Sequence, residues 1–175
     1  LGVAVFLSLV LTIALRWVVS RGEAILTKRP LERHALREQL KQAERLLGPG
    51  STIFLAVNGD GGFPDVRAMA PTRFEGVGTL WMLTGVDSDK CAELSKDPRC
   101  MIYATDLEDT EAYLELRLRG TVEILEDAES RAAAWQDDYL CYFPGGKDDL
   151  NLRVLKFTAK SGSVQNAEGK EHFDL

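Results

Sequence analysis

Thiols are scarce in this chain. It has three cysteines, Cys91, Cys100 and Cys141, an odd number with no C-x-x-C spacing, which excludes a disulfide framework or a cysteine-based zinc site. Histidine is scarcer still. His34 and His172 stand too far apart in sequence to suggest a catalytic pair, and neither is matched to an acid or a nucleophile. Ser161-Gly162-Ser163 lacks the pattern of a nucleophile elbow and reads as a turn. Positive charge is also short: 21 Lys and Arg against 27 Asp and Glu give a formal net charge of −6. That balance argues against a nucleic-acid partner, which needs a basic face. It also means that any anionic ligand must be held by a local cluster of donors, because the global field repels it. The acids Glu108, Asp109 and Glu111 read as a solvated loop, so no metal ligand set and no catalytic constellation is expected.

What is present is one long apolar run and a globular remainder, 45% apolar overall. Residues 1–19 are interrupted only by Ser8, Thr12 and Arg16. A helix of about 20 residues rises about 30 Å, enough to cross a bilayer. The basic residues that follow (Arg21, Lys28, Arg29, Arg33) would face the cytoplasm. Residues 1–22 are therefore expected to form a hydrophobic helix. Three readings stand: an anchor holding a cytoplasmic domain to the inner face of the membrane, a helix buried against a partner subunit, and an accident of where the fragment begins. Residues 23–50 are expected to be a linker and an amphipathic helix, because Leu36, Leu40, Ala43 and Leu47 recur near the helical period before Gly48-Pro49-Gly50.

Residues 51–175 read as one β-rich domain. Strands are expected at 52–57, 65–70, 79–84, 99–105, 112–125 and 152–158, with a short addition at 163–166. Asn58-Gly59-Asp60-Gly61-Gly62 is a hairpin turn, and Gly120 marks a bend in the fifth strand. Helices are expected at 88–96 and 126–142. Short links make the sheet antiparallel, and this many strands in so few residues favour a closed barrel with helices outside.

Two segments carry candidate chemistry. In Asp65-Val66-Arg67-Ala68-Met69-Ala70, Arg67 is either a solvated strand arginine or a fork for a phosphate. In Leu83-Thr84-Gly85-Val86-Asp87-Ser88-Asp89-Lys90, a strand gives way to a helix start. There Ser88 is either a plain N-cap or, with Lys90, part of an anion site.

The order of these segments resembles a known family. VRAM on one strand, LWMLTG on another, DSDK opening a helix and Asp97-Pro98-Arg99 before a strand are similar to the pyridoxamine 5′-phosphate oxidase-like flavoproteins. The stretch from Trp135 to Asp149, with Tyr142-Phe143-Pro144-Gly145-Gly146, resembles their general stress protein branch. The resemblance implies a six-stranded antiparallel split β-barrel that holds FMN between the two subunits of a homodimer. It implies that Arg67, Ser88 and Lys90 hold the phosphate, that Ala68, Met69, Leu83 and Thr84 line the ring and ribityl chain, and that Glu115 stands where the oxidase often has glutamine near the flavin. Asp89 stands where the oxidase has a second basic residue, and the oxidase's arginine- and histidine-bearing C-terminal motif is absent. The resemblance thus implies an FMN-dependent oxidoreductase with a small-molecule substrate or reductant, other than a pyridoxamine 5′-phosphate oxidase itself. The alternatives are a non-catalytic flavin-binding stress module and a deazaflavin- or haem-binding relative.

Overall fold

The structure, a computed structural model, describes residues 34–48, 50–106 and 113–175. The apolar run at 1–19 and the acids at 108–111 lie outside the described residues. No helix among the described residues is long and apolar enough to cross a membrane. The strands and both clefts belong to the compact unit Gln39–Leu175.

The amphipathic helix expected before the barrel is α1, described over residues 34–44, and it tightens into a turn at Arg45–Leu47. Ala43, Leu46 and Leu47 are buried. Eight strands follow: β1 (Ile53–Asn58), β2 (Pro64–Met69), β3 (Pro71–Glu75), β4 (Thr79–Gly85), β5 (Arg99–Thr105), β6 (Leu114–Leu125), β7 (Leu152–Asn166) and β8 (Gly169–Asp174). Two further helices, α2 (Asp89–Lys96) and α3 (Ala128–Ala134), interrupt them.

Every strand pairing is antiparallel, in the order β2-β1-β5-β6-β7-β4-β3, with β8 added to β7. The two strands at the ends of this path, β2 and β3, are consecutive in sequence and separated by Ala70 alone. The sheet must therefore curl until its ends meet, yet β2 and β3 do not pair. That is a barrel split along one seam. Pro64 and Pro71 each open one of the two seam strands, a place where a missing N–H costs no ladder bond.

The strand count corrects the expected six. Pro71-Thr72-Arg73-Phe74-Glu75 pairs with β4, although its proline opening and charged pattern do not read as a strand. The expected strands at 152–158 and 163–166 are one continuous β7, and the polar tail, where no strand is expected, pairs back on it as β8. Main-chain pairing holds these segments, so hydrophobic alternation does not mark them.

The helix expected over 126–142 is also corrected. Asp127 caps α3 by accepting from the Ser130 N–H at 2.8 Å, but the helix stops at Ala134. Trp135 and Gln136 are extended, and a short 3-10 turn spans Asp137–Cys141. The break lets Trp135, Tyr139 and Phe143 pack with Trp81, Leu83, Leu152 and Val154 on the back of β4 and β7. A straight helix would carry some of these rings away from the sheet.

The bend expected at Gly120 is present. The β6–β7 register shifts between Arg119 and Gly120, because Arg119 faces Ser161 while Gly120 faces Ala159. Lys160 is the extra residue of this bulge.

Candidate functional site

The seam opens into a cleft of about 520 Å³. Ala68, Met69, Ala70 and Pro71 form one wall, at the unpaired junction of β2 and β3. Leu83, Thr84 and Gly85, the end of β4, form the floor with Lys90 from the first turn of α2. Gln136, Tyr139, Tyr142 and Phe143 close the far side. Gln136 fixes that side to the seam by donating from Nε2 to the Thr72 carbonyl at 2.6 Å.

Parts of the two expected clusters meet here, Ala68 and Met69 from one and Leu83, Thr84 and Lys90 from the other. Arg67 and Ser88 do not line the cleft, and Ser88 lines a separate pocket with Asp87 and Asp89. Ser88 holds the N-cap position of α2, yet its side chain makes no cap hydrogen bond. Its Oγ lies 3.1 Å from Thr84 Oγ1 instead. Lys90 Nζ donates to the same Thr84 oxygen at 2.9 Å. Arg67 stands close enough to act on Lys90. Burial first, and then the Arg67 charge, hold the Lys90 ammonium below the ordinary lysine range. Two cations side by side in a partly desolvated place disfavour each other, and an anion bound between them reverses that effect.

Arg67 is mostly covered. Its Nη2 meets Asp65 at 2.5 Å and Glu93 at 2.8 Å, and its Nη1 is buried without a hydrogen-bond partner. Buried guanidinium nitrogens rarely remain unpaired. Asp65 lies two residues before Arg67 on the same side of β2, so the strand period already places it there. Glu93, one turn after Lys90 on α2, is the partner that sequence reasoning missed.

Glu115 does not line this cleft. It is buried on β6, between Thr105 of β5 and Gln165 of β7. It pairs with Arg117 at 2.9 Å and accepts from Tyr113 Oη at 2.9 Å and Tyr103 Oη at 3.2 Å. The Arg117 guanidinium also lies over the Tyr103 ring. Sequence reasoning did not find Gln136 and Asp138 as cleft residues, because the break after α3 that turns them inward leaves no mark in the helical pattern.

The arrangement offers carbon walls, two phenol rings and a cationic end, a fit for a flat aromatic ring with an anionic tail. Among the described residues there is no cluster of His, Cys, Asp or Glu able to hold a metal.

The sequence model of a family described as "Pyridoxamine 5′-phosphate oxidase like" matches residues 38–173. The fold is similar to a Clostridium acetobutylicum protein related to general stress protein 26, of the pyridoxinephosphate oxidase family. That likeness has 27% identity and a TM-score of 0.70, over 79% of this chain and 95% of the other. General stress protein 26 from Bacillus anthracis shares the fold at 16% identity and a TM-score of 0.63, over 80% of this chain and 98% of the other. A haem binding protein from Mycobacterium smegmatis shares it at 17% identity and 0.57, over 70% of this chain and 52% of the other. A comparison with the curated proteins finds no match.

Proposed function

We propose that this chain, which belongs to the pyridoxamine 5′-phosphate oxidase-like family, binds FMN in the cleft at the barrel seam and acts as a flavin-dependent oxidoreductase on a small molecule. The observation that carries this reading is that Arg67 lies close enough to Lys90 to act on its charge, while Lys90 donates to Thr84 in the cleft and one Arg67 nitrogen is buried and unpartnered. Bound FMN would supply the redox chemistry, passing electrons through its ring system.

The chain's own residues supply position and charge. Arg67, Ser88 and Lys90 hold the phosphate, and the ammonium of Lys90 keeps its proton once that anion is beside it. Ala68, Met69, Leu83 and Thr84 flank the ring and ribityl chain. Tyr139, Tyr142 and Phe143 shield the far side from water. The working form is a homodimer in which two chains complete each site, and Glu115, buried against Arg117, Tyr103 and Tyr113, does not reach the cleft of its own chain. Asp65 and Glu93 offset part of the positive charge and keep Arg67 in place before the phosphate arrives.

Titration of wild type and Arg67→Ala with FMN and with riboflavin tests the site. FMN binding falls about tenfold to a hundredfold on loss of one charge-assisted contact, and riboflavin binding stays level. Equal losses for both ligands would remove Arg67 from the phosphate site. The visible spectrum of the purified protein separates a flavin from a deazaflavin or a haem, whose Soret band is distinct. Stopped-flow reduction by NADH or NADPH then separates an oxidoreductase from a flavin-holding module.

A further inference from the structure

A second cleft, of about 640 Å³, lies where β1, β5, β6 and β7 run side by side and shares no lining residue with the first. Three basic residues, Arg99, Arg119 and Lys160, line it, and no carboxylate does. In a chain with more acids than bases, such a lining needs a physical cause.

Register supplies the first part. Arg99 faces Thr121 across β5 and β6, Met101 faces Arg119, and Arg119 faces Ser161 across β6 and β7. Alternation then puts these side chains on one surface of the sheet, and it puts Asp174 of β8, opposite Ser161, at the edge of the same surface, outside the cleft lining. The bulge supplies the second part. A regular strand would send Lys160 and Ser161 to opposite faces, yet both line the cleft, because Lys160 is the unpaired extra residue opposite Arg119 and Gly120. Bulges re-aim side chains in this way and recur beside binding sites.

The cations differ in how they are held. Arg99 is fixed by Asp97, which takes Nε at 2.9 Å and Nη2 at 2.6 Å and is itself held by Asn58 Nδ2 at 2.8 Å. Arg119 and Lys160 are exposed and have no carboxylate partner among the described residues. Beside them lie the hydroxyl-bearing Thr121 and Ser161 and the apolar Met101.

We infer that this cleft is a second ligand site, separate from the proposed flavin site, for a small organic anion: a phosphate or carboxylate head on a compact apolar body. Arg119 and Lys160 take the head, the hydroxyls of Thr121 and Ser161 complete its hydrogen bonds, and the body lies on Met101. The volume falls in the small-molecule range of roughly 300–1,000 Å³.

Amide NMR of the full chain, titrated with phenyl phosphate and separately with benzoate, tests the site and shows which head it takes. At least one of the two shifts the amides of residues 119–121 and 160–161 in wild type. Inorganic phosphate, which lacks the body, binds more weakly, and benzyl alcohol, which lacks the charge, leaves these amides still. Arg119→Gln and Lys160→Gln each weaken the bound probe about tenfold, with melting unchanged. Arg67→Gln, in the first cleft, leaves the second-site shifts as they are. The inference is overturned if neither anion moves these amides in wild type, or if the double variant binds as wild type does. It is also overturned if the two substitutions alter only sedimentation, which would make this face a contact between copies.

Discussion

Gly120 is pressed against Thr158: a β-carbon built on it would stand 2.0 Å from the Thr158 carbonyl oxygen and 2.8 Å from the Phe157 ring. The bulge that aims Lys160 into the second cleft therefore depends on a residue without a side chain. Gly120→Ala forces β6 away from β7 along their longest shared ladder. The expected cost is about 3 kcal/mol, at the upper end for overpacking. It would be read as a lowered urea midpoint at unchanged slope, and an unchanged midpoint would mean that the backbone yields freely here.

The lowered pKa of Lys90 gives a pH dependence. Its charged form is disfavoured in the free protein, by burial first and Arg67 second. A phosphate favours the charged form, so binding FMN takes up a proton wherever Lys90 has begun to lose it. FMN affinity should fall as pH rises through the lowered Lys90 pKa, before the ordinary value of 10.5 is reached. Riboflavin affinity should not follow. Flavin fluorescence titrations across that range decide the matter, and parallel curves for both ligands would assign the effect elsewhere.

Glu115 leaves a spectroscopic mark. Burial first, then the Glu115 charge, raise the Tyr103 phenol. The hydrogen bond to Glu115 first, then desolvation, raise the Tyr113 phenol. Glu115→Gln removes the negative charge, so both phenols should ionise at lower pH, nearer their ordinary value of 10.0. Ultraviolet titration of tyrosinate reads this directly. A curve that does not move would show that neither phenol feels the carboxylate.

The thiols should separate by reactivity. Cys141 is exposed, Cys91 is buried, and burial followed by the nearby Asp97 charge pushes the Cys100 thiol up to about 12. A chromogenic disulfide reagent should label Cys141 quickly in the native protein, half-buried Cys100 slowly because its thiol stays protonated, and Cys91 only in denaturant. Labelling of Cys100 as fast as that of Cys141 would show that its thiol is not held protonated by its surroundings.

Much of this fold was legible because its strands announce themselves. Residues 99–105 match β5 to the residue, and the glycines at 59, 61 and 62 mark the β1–β2 turn, where Gly61 and Gly62 take positive φ. Gly120 could be read as a bend because a glycine inside a strand that otherwise alternates apolar and charged residues has few other uses. β3 and β8 could not be read, since each is held by main-chain pairing and carries polar or proline-bearing sequence. The first cleft was half legible. Ala68, Met69, Leu83, Thr84 and Lys90 line it and sit in two short motifs whose spacing survives folding, whereas Gln136 and Tyr139 arrive through a helix break that no local signal records. The second cleft left no sequence signal, because its three cations lie on three different strands and meet only through register and the bulge.

The seam at Ala70 bears on how the chain acquires its fold. β4, which carries the cleft floor, pairs with β7, so residues 79–85 wait for residues 152–158. β1 likewise waits for β5, some forty residues on. The chain must pass over Ala70 early and leave β2 and β3 unpartnered to each other while the rest of the sheet is laid between them. Such long-range closure places folding in the slow regime of about milliseconds to seconds. The seam cleft is complete only when both local hairpins, β1–β2 and β3–β4, have joined the sheet through β5 and β7, so a ligand that fits it favours the closed sheet over either hairpin alone.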